Sequence, residues 1–314
     1  MTSQRHMIIF NPTADKGAAS ERIPETEALL KAKGIDYDLR VTQAVWHAAE
    51  LAQGACGAGY GAVVAAGGDG TVNEVVNGLM LARARGDELP ALGVFSMGRG
   101  NDFSYGADVP GDLAACVDVL AAGALRPMDV GKVTGGDYPD GRYFANGIGV
   151  GFDTIVGLEA AKLRHVHGFM AYVIGALKTF VMYPAAPEMR LEYDGGVIEK
   201  ASHELSIMNG KRMGGTFFMA PKSVNHDGLF DFFMADRLTR RDMIDLMLRL
   251  TKGTQEGHPK IETGRSSRIA ISAPNGGLVV HADGETICTD GKSLLVECLP
   301  SRIRIVCRTE NAGS

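Results

Sequence analysis

The sequence GGDGTVNE at residues 67–74 joins a short apolar run, residues 61–66, to a longer segment with one apolar face. The run is bounded by glycine and is typical of a buried parallel strand. In the longer segment, apolar side chains recur at the spacing of an amphipathic helix, at Val72, Val75, Val76, Leu79 and Met80. The stretch therefore predicts a strand, a turn and a helix, the repeating unit of a parallel α/β sheet.

The chemistry of this turn points to phosphate. Gly67, Gly68 and Gly70 let the backbone bend sharply and come close to a ligand. The helix start behind them presents unpaired N–H groups and the positive end of the helix dipole, which favour an anion. Asp69 adds a carboxylate that can hold Mg²⁺ directly or through water. The turn predicts a nucleotide-phosphate site with a metal, although such glycines elsewhere serve close packing alone.

The segments around this turn also alternate between strand and helix. Strands are predicted at residues 7–10, 36–41 and 91–95, and helices at 20–33, 46–52 and 112–122. Ligands of doubly wound sheets bind beyond the carboxyl ends of the strands. Four loops converge on that edge, and they supply the candidate nucleotide-binding residues Asn11, Pro12, Thr13, Thr42, Gly67, Gly68, Asp69, Gly70, Thr71, Val72, Asn73, Gly98, Arg99, Asn101 and Asp102.

After residue 126 the pattern changes to alternating or continuous apolar runs separated by turn residues, which predicts a mainly antiparallel β-domain. Among the runs are residues 142–151 and 215–220, and helices are predicted near 154–163, 168–182 and 239–252. We therefore expect a nucleotide-binding α/β domain at 1–126 and a β-rich domain at 127–298. A C-terminal strand and tail, 299–314, is compatible with a return to the first domain.

Composition excludes some classes of function. A net charge of −5 argues against a nucleic-acid partner. Five cysteines, an odd number without a CxxC pair, favour a reducing cytoplasm. The most apolar stretch, residues 168–177, is shorter than the roughly 20 residues that span a bilayer. We expect a cytoplasmic protein without a transmembrane segment, whose membrane contact is peripheral; core packing is the simpler explanation of residues 168–177.

Several motifs, in order along the chain, resemble the diacylglycerol kinase-like lipid kinases, which include sphingosine and ceramide kinases. They are the turn at 67–74, Asn11-Pro12 after the first strand, Thr42 with His47, the GRGNDF loop at 98–103 and the run at 144–153. The GGDGT string also occurs in NAD kinases, but the run at 144–153 does not. The family usually has threonine where this chain has Arg99. The resemblance implies an α/β domain followed by a β-sandwich.

Two turns of the second half extend the resemblance. Residues 283–285 match the family's Asp-Gly-Glu, which implies Glu285 as the general base with Asp283 as a supporting carboxylate. Taken alone, Asp-Gly is simply a common hairpin turn. Residues 225–231 resemble a turn that holds a structural Mg²⁺ in some bacterial members. The implied ligands are Asp227 and the backbone carbonyls of Val224 and Leu229, with His226 as a departure from the family pattern.

The resemblance implies an ATP- and Mg²⁺-dependent kinase that phosphorylates the hydroxyl of a lipid alcohol, such as diacylglycerol, in phospholipid metabolism. Two alternatives stay open: a kinase acting on NAD, and a nucleotide- or lipid-binding protein that keeps the fold without catalysis. The motifs do not select the lipid, because pocket shape decides it. The choice between ATP and another nucleoside triphosphate and the formation of a homodimer are also left open by the sequence.

Overall fold

The structure is a computed structural model that describes residues 5–163 and 169–308. The chain divides into two compact units. Unit 1 comprises Met1–Val130 and Pro300–Ser314, and unit 2 comprises Gly131–Leu299. The last six residues of the tail, 309–314, lie outside the described residues.

Unit 1 alternates strands and helices. Its elements are β1 (His6–Phe10), α1 (Ile23–Ala32), β2 (Tyr37–Val41), α2 (His47–Ala55), β3 (Ala62–Gly67), α3 (Asp69–Ala84), β4 (Ala91–Ser96), α4 (Asp102–Gly106) and α5 (Leu113–Ala122). The strands pair in the order β2-β1-β3-β4, all parallel. Ile305, near the chain's end, adds a parallel bridge to Leu92 of β4.

Most strands of this sheet are apolar because they are buried. Strands β3 and β4 are buried at every residue, as expected for parallel strands covered by helices on both faces. The predicted apolar face of α3 is confirmed, since Val72, Val75, Val76, Leu79 and Met80 are all buried. Gly78 lets α3 approach α2 closely, because a Cβ there would overlap the carbonyl of Ala49. The turn at 67–74 is therefore anchored by a buried strand and a buried helix.

The first predicted helix, residues 20–33, is wrong at its start. A 3₁₀ segment, Ala14–Arg22, precedes α1, and three of its residues, Asp15, Lys16 and Gly17, have positive φ. The α-helix begins only at Ile23, with a proline in its first turn. Proline suits that position because the N–H it lacks would have no helical partner.

Unit 2 is mainly antiparallel. Its elements are β5 (Leu125–Gly135, which begins in unit 1), β6 (Tyr138–Phe144), β7 (Gly147–Gly151), α6 (Phe152–Ala161), α7 (Phe169–Met182), β8 (Glu188–Tyr193), β9 (Gly196–Met208), β10 (Phe230–Asp236), α8 (Arg240–Leu250), β11 (Ile261–Ser266), β12 (Arg268–Ser272), β13 (Leu278–Ala282), β14 (Glu285–Gly291) and β15 (Ser293–Val306, which ends in unit 1). A short 3₁₀ turn, Gln255–Gly257, follows α8.

Strand β9 belongs to both layers of this unit. Its first half pairs with β8, and its second half pairs with β7 and β10. From β7 the ladder continues to β13 and β14, and from β8 to β12 and the start of β15. Apolar side chains from both layers form one buried cluster, in which Phe144 and Phe230 stack with ring centroids 5.5 Å apart.

Two predicted runs of unit 2 differ from the structure. Residues 142–151 do not form one strand but the end of β6 and all of β7, because the backbone of residues 145–147 turns aside to bind a carboxylate. Residues 215–220 do not form a strand. Gly214 and Gly215 both have positive φ, which breaks the extended backbone and leaves a single bridge between Met213 and Phe217.

The apolar stretch at 168–177 lies largely within α7, a helix of 14 residues. Across residues 5–163 and 169–308, no helix is both long enough and apolar enough to cross a membrane. The five cysteines are free thiols.

Candidate active site

The turn after β3 depends on glycines, because side chains at these positions would overlap neighbouring atoms. β3 ends at Gly67 and α3 begins at Asp69, so Gly68 alone separates strand from helix. A Cβ at Gly67 would overlap the side chain of Thr71, and a Cβ on Gly98 would lie only 2.6 Å from the Cα of Gly68. The loops after β3 and β4 therefore touch through glycine backbones, and their amides lie at the carboxyl edge of the sheet.

Two carboxylates converge beside these glycines. The N–H of Phe103 donates to Oδ1 of Asp69 at 2.9 Å, which ties the two loops together. A Cβ on Gly100 would lie 3.1 Å from Oδ2 of Asp69 and 3.4 Å from Oδ2 of Asp102. Two carboxylate oxygens near one another, with remaining positions for phosphate oxygens and water, suit the chemistry of Mg²⁺. This pair fits a nucleotide-bound metal.

Asn11 joins the first loop to the helix. Its Nδ2 donates to Oγ1 of Thr71 at 2.9 Å, while its Oδ1 accepts from the backbone N–H and the hydroxyl of Thr13 at 3.0 and 2.8 Å. The N–H of Thr42 donates to the carbonyl of Phe10 at 2.9 Å, which holds the next loop at the same edge. Asn11, Thr13, Thr42 and Thr71 are thus brought together, with Pro12 between the first two.

Other predicted residues of this edge have structural partners. Asn101, in the left-handed region at φ 50°, accepts from the N–H of Gly98 at 3.0 Å and donates to its carbonyl at 2.8 Å. The guanidinium of Arg99 lies 3.6 Å from the carboxylate of Asp15, and both side chains are about half exposed. Val72 and Asn73 are buried in α3, and the N–H of Val72 donates to the carbonyl of Gly68 at 3.1 Å, so a direct contact of these two residues with a nucleotide stays a prediction.

The hairpin between β13 and β14 carries the second pair of acids. Asp283 and Gly284 both have positive φ, as a type I′ turn requires. The carboxylate of Asp283 accepts three consecutive amides: Ala145 to Oδ2 at 2.7 Å, and Asn146 and Gly147 to Oδ1 at 2.9 Å each. Glu285, the first residue of β14, is exposed. Asp283 therefore fixes the turn, and Glu285 offers its carboxylate to solvent.

A polar cluster beneath this hairpin was missed by the sequence reasoning. His281 lies with its Nε2 3.2 Å from Oδ2 of Asp153, and its Nδ1 accepts the N–H of Gly284 at 3.2 Å. The N–H of Asp153 donates to Oε2 of Glu204 at 2.9 Å. A Cβ on Gly149 would overlap the carboxylate of Asp153, so the absence of a side chain there creates the space for the cluster.

Burial and charge shift the titration of this cluster. Burial, followed by the neighbouring carboxylate of Asp153, raises the pKa of Glu204 well above its usual range. Burial by itself would lower the pKa of His281, but the carboxylates of Asp153 and Asp283 outweigh it and raise that pKa above its ordinary value. No local motif connects these residues; only strand register does, since His281 and Gly149 are cross-strand partners.

At the predicted metal-binding turn, the carboxylate of Asp227 already pairs with an arginine side chain. Oδ1 of Asp227 accepts the N–H of Leu229 at 3.1 Å, and Arg265 donates to Oδ2. Nε of Arg265 also lies 3.4 Å from Oδ1 of Asp231. Both oxygens of Asp227 therefore have protein donors, which does not suit a Mg²⁺ ligand. The side chain of Val224 is exposed. A metal held by Asp227 and the carbonyls of Val224 and Leu229 stays a prediction.

No cluster of three or more His, Cys, Asp or Glu side chains that could hold a metal occurs within the described ranges. That finding does not bear on Asp69 and Asp102, which form a pair and would share a metal with phosphate oxygens.

Matches to known protein families cover nearly the whole chain. Residues 5–133 match the family described as Diacylglycerol kinase catalytic domain, and residues 146–307 match the YegS C-terminal NAD kinase beta sandwich-like domain. Proteins named Diacylglycerol kinase from Staphylococcus aureus strains RF122 / ET3-1 and JH9 are each 31% identical over 285 residues, 90% of this chain and 86% of theirs.

Solved structures show the same fold. A diacylglycerol kinase structure from Bacillus anthracis str. Sterne has a TM-score of 0.74 at 21% identity and covers 98% of both chains. Yeast NADH kinase complexed with NADH has a TM-score of 0.52 at 11% identity, over 99% of this chain and 85% of that chain. The predicted fold class, a doubly wound α/β domain followed by a β-sandwich domain, is confirmed.

Proposed function

Since the chain belongs to the diacylglycerol kinase family, we propose that it is a lipid kinase that transfers the γ-phosphoryl group of ATP to the hydroxyl of a lipid alcohol such as diacylglycerol. The observation that carries this proposal is the exposed Glu285 on a turn that Asp283 holds through three backbone amides. A carboxylate held in this way is suited to act as a general base.

The donor nucleotide binds at the carboxyl edge of the unit 1 sheet in this proposal. Its phosphates lie against the backbone of residues 67–73, where the start of α3 and the glycine loops supply N–H groups. The side chains of Asn11 and Thr13 line the neighbouring loop. Asp69 and Asp102 are the residues that would hold Mg²⁺, which when bound neutralises charge on the phosphates.

Glu285 acts on the acceptor. It takes the proton of the lipid hydroxyl while that oxygen bonds to the γ-phosphorus and the bond to the β-phosphate oxygen breaks, leaving ADP and a lipid phosphate. Asp283 supports this step as a positioning carboxylate, because its own oxygens are taken up by the amides of residues 145–147. The lipid phosphate would then serve phospholipid synthesis.

A transfer assay on a mixed substrate pool tests the proposal. The purified chain is incubated with Mg²⁺, γ-labelled ATP and a total lipid extract, and labelled products are identified by mass spectrometry. A phosphorylated lipid alcohol is expected, and Glu285→Gln is the control for contaminating kinases. Labelled NADP from a parallel incubation with NAD would favour the NAD kinase alternative. Folded protein that labels neither substrate would favour the non-catalytic one.

We place this kinase in the cytoplasm with peripheral membrane contact. Its five free thiols suit a reducing compartment, and its substrate resides in a bilayer. Cell fractionation with and without a high-salt wash tests this location, since a peripheral protein is released from membranes by salt. Light scattering on the purified chain tells a monomer from a homodimer.

A further inference from the structure

The two residues of the turn between β13 and β14 are held in different ways. The carboxylate of Asp283 accepts the amides of residues 145–147. Gly284 has no side chain, and a Cβ there would meet no atom within 4 Å. Its N–H donates to Nδ1 of His281 at 3.2 Å. Gly284, the residue directly before Glu285, is therefore held by an imidazole ring.

The ring of His281 lies where its cross-strand neighbour has no side chain. His281 of β13 is the partner of Gly149 of β7, and paired residues of a ladder share one face of the sheet. A Cβ on Gly149 would overlap the carboxylate of Asp153, so that carboxylate fills the space beside the ring. Nε2 of His281 lies 3.2 Å from Oδ2 of Asp153, and the two side chains are only 13% and 20% exposed. The ring is therefore largely buried between a carboxylate and the turn.

Asp153 is itself fixed at the start of α6. Its Oδ1 accepts the N–H and the hydroxyl of Thr154, and that hydroxyl also donates to the carbonyl of Gly149 at 2.9 Å. The backbone N–H of Asp153 donates to Oε2 of Glu204 at 2.9 Å. Burial and the neighbouring carboxylate raise the pKa of Glu204 well above its usual range, which favours a neutral carboxyl at that position. With Oδ1 engaged by Thr154, Oδ2 is the oxygen that faces Nε2 of His281.

These contacts decide which nitrogen of the ring carries the proton. A carboxylate oxygen only accepts, so Nε2 donates to Asp153, and a backbone N–H only donates, so Nδ1 accepts from Gly284. The neutral ring satisfies both contacts in one tautomer, with its proton on Nε2. The other tautomer would turn a bare Nε2 toward the carboxylate and an N–H toward the N–H of Gly284.

We propose that His281 is a positioning residue for the base: Asp153 fixes the tautomer of the ring, and Nδ1 then holds the N–H of Gly284, which sets the backbone direction at Glu285. This role rests on the proposed function of Glu285. A general base has to lie within hydrogen-bond reach of the proton that it takes. Because a displacement of about 1 Å can cost up to about a hundredfold in rate, loss of this contact has a measurable effect on turnover.

The contact with Gly284 also makes the turn sensitive to protonation of the ring. The ionisable groups of the cluster and its turn are Asp153 on α6, Glu204 on β9, Asp283 in the turn and Glu285 on β14. Burial lowers the pKa of His281, but the carboxylates of Asp153 and Asp283 together outweigh it and raise that pKa above its ordinary value. A ring protonated at Nδ1 opposes an N–H to the N–H of Gly284. The contact therefore forms above the raised pKa and is lost as pH falls through it.

Two substitutions separate the two contacts of the ring. Asparagine places an amide oxygen near the position of Nδ1 and keeps an acceptor for Gly284. Glutamine places an amide near the position of Nε2, which keeps a contact with Asp153 and leaves Gly284 without its acceptor. We expect turnover to fall by about tenfold in His281→Gln and to stay within about threefold in His281→Asn, with ATP affinity unchanged in both. Equal turnover in the two variants would overturn the proposal.

A substitution of Asp153 tests the tautomer from the other side of the ring. In Asp153→Asn the amide oxygen is expected at the position of Oδ1, where it accepts the N–H of Thr154, so the amide nitrogen replaces Oδ2. Nε2 of His281 then has to accept, which moves the ring proton to Nδ1 and opposes it to the N–H of Gly284. Turnover should fall by about tenfold, as in His281→Gln, whereas Asp140→Asn, an exposed acid on β6, should match the wild type. Wild-type turnover in Asp153→Asn would overturn the proposal.

Nitrogen NMR of the imidazole rings reads the tautomer directly, without turnover. The full chain is labelled with ¹⁵N-histidine, and the spectrum of His281→Gln identifies the signal of this ring by its absence. The proton of the neutral ring is expected on Nε2 in the wild type and on Nδ1 in Asp153→Asn. A proton on Nδ1 of the neutral ring in the wild type would overturn the proposal, because such a ring cannot accept from Gly284.

The pH profile of turnover gives a readout that a general loss of stability would not reproduce. Turnover of the wild type should begin to fall at a higher pH than that of His281→Asn, since the amide oxygen of asparagine does not titrate. Coincident profiles would show that protonation of His281 does not release Gly284, and would overturn the role of Nδ1 as its acceptor.

Hydrogen exchange at Gly284 measures the contact itself. Its amide should exchange faster in His281→Gln than in His281→Asn or the wild type, because only glutamine removes the acceptor. A chain that phosphorylates no lipid but shows these rates and the expected tautomer would refute the proposed function while His281 still holds the turn. A working lipid kinase with equal exchange rates in all three proteins would refute the positioning role alone.

Discussion

The turn at residues 67–74 and the hairpin at residues 283–285 both present a carboxylate, but they are built in opposite ways. The first depends on absent side chains: glycines bring two loops together, and Gly100 leaves space for the oxygens of Asp69 and Asp102. The second depends on one side chain, Asp283, whose carboxylate gathers three amides from a distant segment. The comparison shows two ways to position a carboxylate: glycines can leave space for it, or a neighbouring acid can hold its turn in place by accepting hydrogen bonds from backbone amides.

The largest effect is expected at the base. Glu285→Gln keeps the shape of the side chain but cannot take a proton, so turnover should fall by roughly 10² to 10⁴. ATP affinity should stay within about threefold, because Glu285 belongs to the acceptor side of the proposed reaction. Steady-state kinetics and calorimetric ATP binding measure both quantities. Wild-type turnover in this variant would remove Glu285 as the base.

Loss of the side chain that shapes the hairpin should affect stability. Asp283→Ala leaves three backbone amides without their acceptor, and we expect the free energy of unfolding to fall by about 3 kcal/mol. Asp283→Asn should lose less, since its amide oxygen still accepts. Urea unfolding measures the difference. Asp140→Ala, an exposed acid on β6, is the control and should change it by less than about 0.5 kcal/mol. Equal stability of Asp283→Ala and the control would refute the structural role.

The glycine-built turn should respond in binding more than in stability. Asp69→Asn keeps an oxygen that accepts the N–H of Phe103 but removes the charge, so Mg-ATP affinity should weaken by about tenfold while the unfolding midpoint changes little. Asp69→Ala removes the accepting oxygen as well as the charge, so both the Mg-ATP affinity and the unfolding midpoint should fall. Calorimetry with ATP in the presence and absence of Mg²⁺ separates the two effects. If Asp69→Asn bound Mg-ATP normally, the carboxylate would have no part in holding the metal.

The effect expected beneath the hairpin is a gradual one, a change of stability with each pH unit. Because the pKa of Glu204 is raised on folding, its stabilising contribution is complete below the ordinary carboxyl value and is lost as pH rises toward the folded value. Over that window stability should fall by up to about 1.4 kcal/mol per pH unit. Glu204→Gln removes this slope, so thermal unfolding of wild type and variant at pH 5 and pH 8 measures it. Parallel pH profiles would show that Glu204 is not protonated in the fold.

The α/β half could be predicted closely because its signals are local. The spacing of Val72, Val75 and Leu79 defines the buried face of α3, and glycines mark the turn before it. The one clear error, the start of the first helix, arose where Asp15 and its neighbours adopt positive φ. An apolar period cannot reveal that, since residues other than glycine rarely adopt this conformation.

The β-rich half was predicted in class but less well in detail. The break between β6 and β7 is imposed by Asp283, which lies more than a hundred residues away in sequence. The run at 168–177 has the composition of a core helix, yet in α7 its small residues face inward and Leu177 faces solvent. Composition gives the hydrophobicity of a helix, but only its packing partner decides which face is buried.

By itself, the sequence predicted the strand, turn and helix around residues 67–74 and the order of the two folds, while Glu285 as candidate base came from the resemblance to a known family. The strand, turn and helix depend on spacing over a few residues and on the backbone freedom of glycine, which a sequence displays directly. Only the tertiary structure decided that Asp283 binds backbone, that Arg265 pairs with Asp227 and that His281 meets Asp153. Each of those contacts joins residues distant in the chain, and strand register rather than local pattern brings them together.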